Sequence, residues 1–513
     1  MTFFESLLVL LSIAIVLLQI SRRLALPYPA MLAAAGVVLA LVPGAPKMGI
    51  DPHIALALFI APAIVDAAFD FPIVAARRYW RPLFALAVVA VILTAGAVTW
   101  LGVTVAGLPL FAALALGAIV APPDAAAATA VLNAVNMPRR AVTVLKGESL
   151  LNDATALLLF SVAVTIQNQG QVTGGLLVSL GMAAPGGVCL GFLAALLFSR
   201  LLPFLNGTRG SNLLEFVGSF GLWIIAERLH LSAVLCVVTF AMTLALSANL
   251  KTAPRMRIHS FAVWDAAVFA LNVFAFLLMG FQAHAIVTTM PPDRLQSAFG
   301  FVLAVIGCVI FVRIAWLLLY NSLSQKLRIL RGDLEPAPLA QGILIGWSGM
   351  RGLVTLATAF SLPATFPQRD LIVLTAFAVV LATLVIQGLS LPTLVRLLKL
   401  DGDNGLDREM KEVRADLAKT GLAALEGVKG PSAAFWRFEF EASLAAAQNS
   451  PQTRPLEDKR KTGLNALRRQ RERLEYLRRE GRVGSDAFLI LQEELDFAEV
   501  GITPEADRRI EEA

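Results

Sequence analysis

The chain has 513 residues, of which 57% are hydrophobic and 16% are charged, and its mean hydropathy is +0.72. This composition is typical of proteins that cross a membrane many times, and it excludes an ordinary soluble globular protein. The net charge of +6 is no argument for nucleic-acid binding, because the basic excess lies in loops between apolar runs of residues 1–400. The three cysteines and four histidines lack metal-ligand spacing, which argues against a zinc-dependent hydrolase.

Apolar stretches that can span a membrane, about 20 residues each, recur along the chain up to Leu398. We place thirteen of them, at approximately 3–21, 27–44, 51–71, 82–107, 110–133, 143–167, 174–202, 212–228, 231–249, 257–284, 295–322, 337–362 and 369–398. The first resembles a signal peptide in length, but it has neither a basic start nor a small-residue cleavage site. The sequence therefore predicts an all-helical polytopic membrane protein.

Basic residues are concentrated in the loops that follow odd-numbered spans. Examples are Arg22 and Arg23 after span one, Arg139 and Arg140 after span five, and Arg328 after span eleven. Loops rich in lysine and arginine stay in the cytoplasm. We therefore expect a protein of the cytoplasmic membrane with its N-terminus outside and its C-terminus in the cytoplasm.

Two spans are interrupted. Span five contains Ala121-Pro122-Pro123-Asp124, and span twelve contains Gly346-Trp347-Ser348-Gly349-Met350-Arg351-Gly352. Proline and glycine break helices, and unwound backbone at membrane depth is tolerated only where protein or a cavity surrounds it. The interrupted spans are seven apart and run in opposite directions, which predicts an inverted repeat of spans 1–6 and 8–13 around a midplane site. The alternative is a pair of ordinary helix kinks.

Span six opens with a polar stretch, Gly147-Glu148-Ser149-Leu150-Leu151-Asn152-Asp153. On a helix, Ser149 and Asp153 are i,i+4 neighbours, and so are Glu148 and Asn152. Ionisable groups inside a membrane mark ion pathways or proton relays. A carboxylate removed from water holds its proton more readily, so Asp153 can bind either a proton or a cation but not both. The Ser149 hydroxyl is a candidate cation ligand, or alternatively bonds back to a helix carbonyl.

The apolar runs stop after Leu400. Residues 401–513 predict a soluble helical tail, in which Leu464, Leu467, Leu474 and Leu477 have helical spacing within an arginine-rich stretch. We interpret this stretch as an amphipathic helix that packs within the tail, with a membrane-surface or regulatory role as the alternative.

Three motifs together resemble the monovalent cation:proton antiporter 1 family, the sodium/proton exchangers, and in particular its bacterial members. They are Ala121-Pro122-Pro123-Asp124, Gly147-Glu148-Ser149-Leu150-Leu151-Asn152-Asp153 and Gly349-Met350-Arg351-Gly352, on spans five, six and twelve. The resemblance covers about residues 20–400, and its second motif is highly specific. It implies a homodimeric antiporter rather than an enzyme, with no cofactor besides the transported ions. Spans 4–6 and 11–13 would form a moving core, and spans 1–3 and 7–10 a scaffold with the dimer interface.

The resemblance also implies roles for the polar residues. Asp153 would bind the cation and the proton, and Asn152 before it is typical of the electroneutral branch, which exchanges one cation per proton. Asp124 would coordinate the ion or hold Asn152 across the site. Most family members have threonine where this chain has Pro123, so a hydroxyl ligand is lost there and only the Pro123 carbonyl can face the ion. The choice among Na⁺, Li⁺ and K⁺ therefore stays open.

Four charged residues are expected in or near the membrane. The resemblance implies that Glu148 of span six pairs with Arg351 of span twelve as a structural ion pair. Arg313 in span eleven is a second buried cation, for which the sequence names no partner. Asp66 lies where the family often has a glutamate on the ion path, although an interfacial charge near the cytoplasmic arginines is the alternative.

The sequence leaves other functions open. A K⁺/H⁺ antiporter would have the same mechanism with another ion. A cation channel would need a continuous polar path and no proton counterflow. A membrane-embedded enzyme would need a nucleophile–base pair or a metal motif, and we find neither. We expect exchange of a monovalent cation for H⁺ that serves pH and cation homeostasis.

Overall fold

The structure is a computed structural model that describes residues 11–20, 28–41, 52–124, 138–169, 174–205, 210–248, 254–332, 334–400, 405–448 and 454–503. These residues form helices, turns and short connections, and none of them is in a strand. The predicted all-helical class is therefore confirmed over the described residues. The count of thirteen spans, the inverted repeat and the division into core and scaffold stay predictions. The chain divides into two compact units, Met1–Gly402 and Asp403–Glu512.

The helices of the first unit are numbered in chain order. They are α1 (Leu11–Ile20), α2 (Tyr28–Ala40), α3 (Pro52–Phe69), α4 (Ile73–Arg78), α5 (Trp80–Val105), α6 (Leu110–Val120), α7 (Arg139–Gln169), α8 (Gly174–Leu205), α9 (Gly210–Arg228), α10 (Ala233–Ala248), α11 (Pro254–Thr289), α12 (Pro292–Lys326), α13 (Arg328–Arg331), α14 (Leu339–Trp347), α15 (Leu353–Phe360) and α16 (Arg369–Leu397). Among the described residues, six helices are long and apolar enough to cross a membrane: α5, α7, α8, α11, α12 and α16.

Small residues let the helices of this unit approach closely. Where α2 meets α11, Gly36 faces Gly280, and a Cβ on Gly36 would lie 2.9 Å from the Gly280 Cα. Close backbone packing of this kind supplies van der Waals contacts between membrane helices, since lipid and apolar side chains are equally hydrophobic. The rest of the interior is filled mainly by alanine, leucine, isoleucine, valine and phenylalanine.

The polar stretch lies inside this packing. Helix α7, which carries it, contacts α3, α5, α6, α10 and α14, while α15 contacts α3, α6, α11 and α16. The two predicted interruptions are present where the sequence places them. Helix α6 ends at Val120 and is followed by non-helical residues 121–124, and Ser348–Gly352 separates α14 from α15. The continuation of span five beyond Asp124 lies outside the described residues.

The second unit consists of helices α17 (Gly405–Ala424), α18 (Pro431–Ala447), α19 (Arg454–Arg479) and α20 (Ser485–Ile502). Helix α17 packs against α18, and α19 packs against α20. Leu467 and Leu474 are buried on the inner face of α19, as their spacing predicts. On the same helix Arg471 pairs with Asp496 and Glu499 of α20, at partly exposed positions.

Candidate site at the crossing of the interrupted helices

The two interruptions meet, and Asp124 joins them. Its backbone N–H donates to the Met350 carbonyl (2.7 Å), and its Oδ2 accepts from the Leu353 N–H (2.9 Å). The first N–H groups of a helix have no partner within the helix, and a negative charge there is stabilised by the helix dipole. Asp124 thus caps the N-terminus of α15. Gly352 makes the contact possible, since a Cβ there would overlap with the Asp124 carboxylate.

Arg351, in the interruption of span twelve, binds the end of α6 in span five. Its guanidinium is fully buried and donates from Nε to the Val120 carbonyl (3.0 Å) and from Nη2 to the Ala121 carbonyl (3.4 Å). It also donates from Nη1 to the Gly349 carbonyl within its own interruption. The carbonyls at the end of α6 carry partial negative charge, so a cation stabilises them. Each interruption therefore supplies a charge of the right sign to the helix end of the other.

The predicted ion pair between Glu148 and Arg351 was wrong. Glu148 of α7 pairs with Arg313 of α12 instead. The Arg313 Nη1 donates to the Glu148 Oε1 (2.5 Å), and the Arg313 Nη2 donates to the Glu148 Oε2 (3.0 Å). The pairing differs because the Arg351 donors are taken by backbone carbonyls, whereas Arg313 presents the two-pronged geometry that a carboxylate accepts. Arg313, for which the sequence names no partner, is thus paired with Glu148.

Arg313 also caps a helix. Its Nε donates to the Gly346 carbonyl (3.2 Å) and its Nη2 to the Ile345 carbonyl (3.1 Å), both in the last turn of α14. Gly349 gives it room, because a Cβ at this position would overlap with the arginine side chain. Three side chains, Asp124, Arg313 and Arg351, thus stabilise the ends of three half-helices at the crossing.

Asn152 links α7 to the first interruption. Its Nδ2 donates to the Pro123 carbonyl at 2.7 Å, and the residue is fully buried. Its Oδ1 is also buried and has no hydrogen-bond donor among the described residues. The Pro123 carbonyl, for which we expected a role at the ion, is therefore within hydrogen-bond reach of the residue that precedes Asp153.

Asp153 is the exception in this network. The residue is 5% exposed, and within the described part of the chain its carboxylate makes no hydrogen bond and no ion pair. The charge that acts on it is Asp124, which has the same sign. Ser149 lies one turn earlier on α7 and is half-buried. A buried carboxylate without a counter-charge requires a proton or a cation for neutralisation.

Two further residues complete this description. Asp66 lies in the last turn of α3, half-buried, on a helix that packs against α15, and its role on the ion path stays a prediction. Thr383 of α16, which no sequence motif marks, accepts from the Arg351 N–H at 3.1 Å through its hydroxyl oxygen. Its signal in the sequence is weak, because Thr383 is one of several polar residues within a mainly apolar span.

The sequence model of the family described as "Sodium/hydrogen exchanger, transmembrane" matches residues 8–397. The chain belongs to this family. The resemblance stated from the motifs is therefore confirmed, and with it the class of sodium/proton antiporters, membrane proteins with transmembrane helices.

Relatives in this family extend over most of the chain. An uncharacterised Na⁺/H⁺ exchanger of Mycobacterium tuberculosis is 30% identical over 503 residues, which cover 93% of this chain and 92% of that protein. The uncharacterised Na⁺/H⁺ exchanger YjcE of Escherichia coli is 27% identical, with 92% and 94% covered. A sodium, potassium, lithium and rubidium/H⁺ antiporter of Bacillus pumilus is 28% identical over 78% of this chain and 62% of its own length.

A solved structure shows the same fold. The sodium proton antiporter MjNhaP1 of Methanocaldococcus jannaschii superposes with a TM-score of 0.61 over 79% of this chain and 99% of its own, at 18% sequence identity. Over the superposed part, the helical architecture of this chain is therefore that of a sodium/proton antiporter fold.

Proposed function

We propose that the chain exchanges a monovalent cation for H⁺ across the cytoplasmic membrane, and that both ions compete for the Asp153 carboxylate. The observation that carries this proposal is that Asp153 is buried and unpaired among the described residues. An ionised carboxylate in this setting is costly until a positive charge neutralises it. Binding of one ion therefore releases the other, and this exchange couples their movements in opposite directions.

The oxygen atoms around Asp153 suit a monovalent cation. Hard cations take carboxylate, hydroxyl and carbonyl oxygens, and Ser149, Asn152 and Asp124 offer them close by. The Asn152 Oδ1 lacks a donor among the described residues, while its Nδ2 is held by the Pro123 carbonyl. That carbonyl keeps a second lone pair for the ion. We assign the cation to Asp153 and Ser149 first, with Asp124, Asn152 and the Pro123 carbonyl as supporting ligands.

One cation would be exchanged for one proton. Glu148 is neutralised by Arg313, and position 152 is an amide, so Asp153 is the carboxylate of α7 that remains without a counter-charge among the described residues. A carboxylate that carries either a cation or a proton crosses with the same net charge each time. Exchange is then electroneutral and does not depend on the membrane potential, which flux measurements at clamped potentials would check.

Transport would follow alternating access. The crossing, with spans 4–6 and 11–13, would move as a core against a scaffold of spans 1–3 and 7–10, which would also form the homodimer interface. Asp66 would lie on the access path to Asp153. The N-terminus would lie outside and the C-terminal unit in the cytoplasm, and the activity would serve pH and cation homeostasis.

Sodium is the cation that most relatives' names give, and K⁺ is the alternative. The Bacillus pumilus relative is named for sodium, potassium, lithium and rubidium. Most family members have a threonine hydroxyl where this chain has Pro123, which offers only its backbone carbonyl to the ion. The ligand set therefore does not select one monovalent cation. Titration of Na⁺, Li⁺ and K⁺ against proton flux in the same vesicles distinguishes these cases.

The test is Asp153→Asn in everted membrane vesicles. The variant keeps shape and polarity but loses the charge, so we expect no cation-induced proton movement, measured with a pH-sensitive dye. Asp370→Asn makes the same chemical change at an exposed carboxylate in the first turn of α16 and should transport like the wild type. Cation-induced proton movement that persists in Asp153→Asn contradicts the proposal.

A further inference from the structure

Gln387 of α16 is a fully buried amide without a partner. Its exposed fraction is 0%, and neither its Oε1 nor its Nε2 forms a hydrogen bond with a described residue. A side-chain amide that loses water and gains no partner is destabilising, and more so where the dielectric constant is low. An apolar side chain of the same size would fit this position at lower free energy. The amide is therefore a feature that packing alone does not explain.

The position of Gln387 follows from two hydrogen bonds on either side of it. One turn earlier on α16, Thr383 accepts from the Arg351 N–H at 3.1 Å. About one turn later, Ser390 accepts from the Trp347 Nε1–H at 2.8 Å. Residues 383, 387 and 390 lie on one face of the helix. Gln387 therefore faces the segment between Trp347 and Arg351, which is the interruption of span twelve.

That segment has unused donors. The N–H groups of Gly349 and Met350 find no acceptor within the described part of the chain, whereas Ser348 still bonds to the Leu344 carbonyl at 2.9 Å. Backbone N–H groups that are buried without an acceptor are rare, because each lost hydrogen bond is costly. An unpaired amide oxygen on α16 thus lies opposite an unwound segment with unpaired N–H groups.

We propose that Gln387 is a positioning residue for transport. When the crossing moves to its other state, the Gln387 amide forms hydrogen bonds with the backbone of the unwound segment Ser348–Met350. In that state the Oε1 accepts from the N–H groups of Gly349 and Met350, and the Nε2 donates to a carbonyl of the same segment. This inference rests on the proposed function, because the second state exists only if the crossing moves during exchange. Gln387 touches no transported ion in this account, and it acts through the backbone that holds Arg351.

Loss of the Gln387 amide should lower the transport rate without lowering the stability of the protein or its affinity for the ion. Gln387→Leu and Gln387→Met remove the amide but keep the volume, so the purified proteins should melt at or above the wild-type temperature. Their maximum rate of cation-driven proton movement in proteoliposomes should fall about tenfold, which corresponds to about one hydrogen bond lost in the second state. The cation concentration at half-maximal rate should stay within about twofold of the wild type, since no ion ligand has changed.

Asn321→Leu is the matched control. Asn321 of α12 is another buried amide, whose Nδ2 has no acceptor among the described residues, but it lies against Gly342 in the first turns of α14. This variant should gain stability in the same way and keep the wild-type rate.

The other outcomes overturn the inference. An unchanged rate in both Gln387 variants means that the amide has no part in transport. A marked loss of melting temperature in both means that the amide is bonded in the resting state. A raised half-maximal cation concentration at an unchanged maximum rate makes Gln387 an ion ligand, and an equal loss of rate in Asn321→Leu removes the link to the interruption. A wild type that moves no protons in response to cations contradicts the proposed function instead.

Discussion

Helix α7 carries two buried carboxylates, Glu148 and Asp153, whose surroundings differ completely. Glu148 is 1% exposed and is bound by both nitrogens of the Arg313 guanidinium terminus, at 2.5 and 3.0 Å. Asp153 is 5% exposed and has no such partner within the described residues. The same helix, in the same protein interior, thus holds one neutralised acid and one that awaits a positive charge.

The difference separates structure from function. A buried carboxylate with a fixed counter-charge and further hydrogen bonds cannot exchange its partner quickly, because each step would leave a charge uncompensated. A carboxylate without a fixed partner can take a cation or a proton at similar free energy, provided that protein oxygens surround it. Glu148 therefore holds α7 to α12 and α14, and Asp153 is left free for transport.

Breaking the neutralised pair should have the largest effect on stability. Glu148→Gln leaves Arg313 buried with carbonyl partners only, which should destabilise the folded state by about 3–5 kcal/mol. Thermal unfolding of the purified protein measures this. Asp153→Asn removes a charge that has no fixed partner, so its melting temperature should stay at or above that of the wild type.

The double variant Glu148→Met with Arg313→Met sharpens the result. Replacing both partners of a buried pair by apolar side chains is often close to neutral, so part of the stability lost in Glu148→Gln should return, while the cap that Arg313 gives to the α14 carbonyls stays lost. Equal melting temperatures for Glu148→Gln and Asp153→Asn would show that the two acids of α7 do not differ in the way described here.

An intermediate effect on stability is expected at Asp124, whose carboxylate accepts a backbone hydrogen bond, whereas that of Glu148 is bound by an arginine. Asp124→Asn keeps an oxygen for the Leu353 N–H but loses the charge at the N-terminus of α15, a loss of about 0.3–1 kcal/mol. Asp124→Ala also removes the acceptor and should cost about 1 kcal/mol more. Chemical denaturation of both variants checks the order, and an alanine variant as stable as the asparagine variant would argue against the cap.

The smallest effect is expected where an ion pair is exposed. In the C-terminal unit, Arg471 pairs with Asp496 and Glu499, and its side chain is 39% exposed. Arg471→Ala should change the unfolding free energy by no more than about 1 kcal/mol, because water screens surface pairs. Differential scanning calorimetry of the full chain measures it. A loss as large as that of Glu148→Gln would show that burial is not what distinguishes the pairs.

Much of the crossing could be predicted from the sequence, because its signals are local. Ala121-Pro122-Pro123-Asp124 and Gly349-Met350-Arg351-Gly352 disfavour a continuous helix, and both interruptions appear at those positions. The i,i+4 spacing of Ser149 and Asp153 follows from helix geometry alone. These features depend on a few neighbouring residues and on general preferences of the backbone.

The partners across the crossing could not be predicted in the same way. Arg313 and Arg351 both stand in apolar runs and both needed an acid, and the sequence does not say which of them faces α7. The choice depends on the rotation of α12 and on the carbonyls of α6 and α14, which take up the guanidinium groups. Thr383 and Gln387 were missed for a related reason. The role of a polar residue within a span depends on which groups of neighbouring helices it faces, and the sequence does not show them.

In the proposed exchange one carboxylate, that of Asp153, binds the cation and the proton in turn. The most direct measurement is the number of protons released when the cation binds to purified protein, obtained by calorimetry in buffers with different ionisation enthalpies. The wild type should release one proton per cation bound, its apparent affinity for the cation should fall as the pH is lowered, and Asp153→Asn should show no linked proton. Cation binding without proton release in the wild type, or with full release in Asp153→Asn, would contradict it.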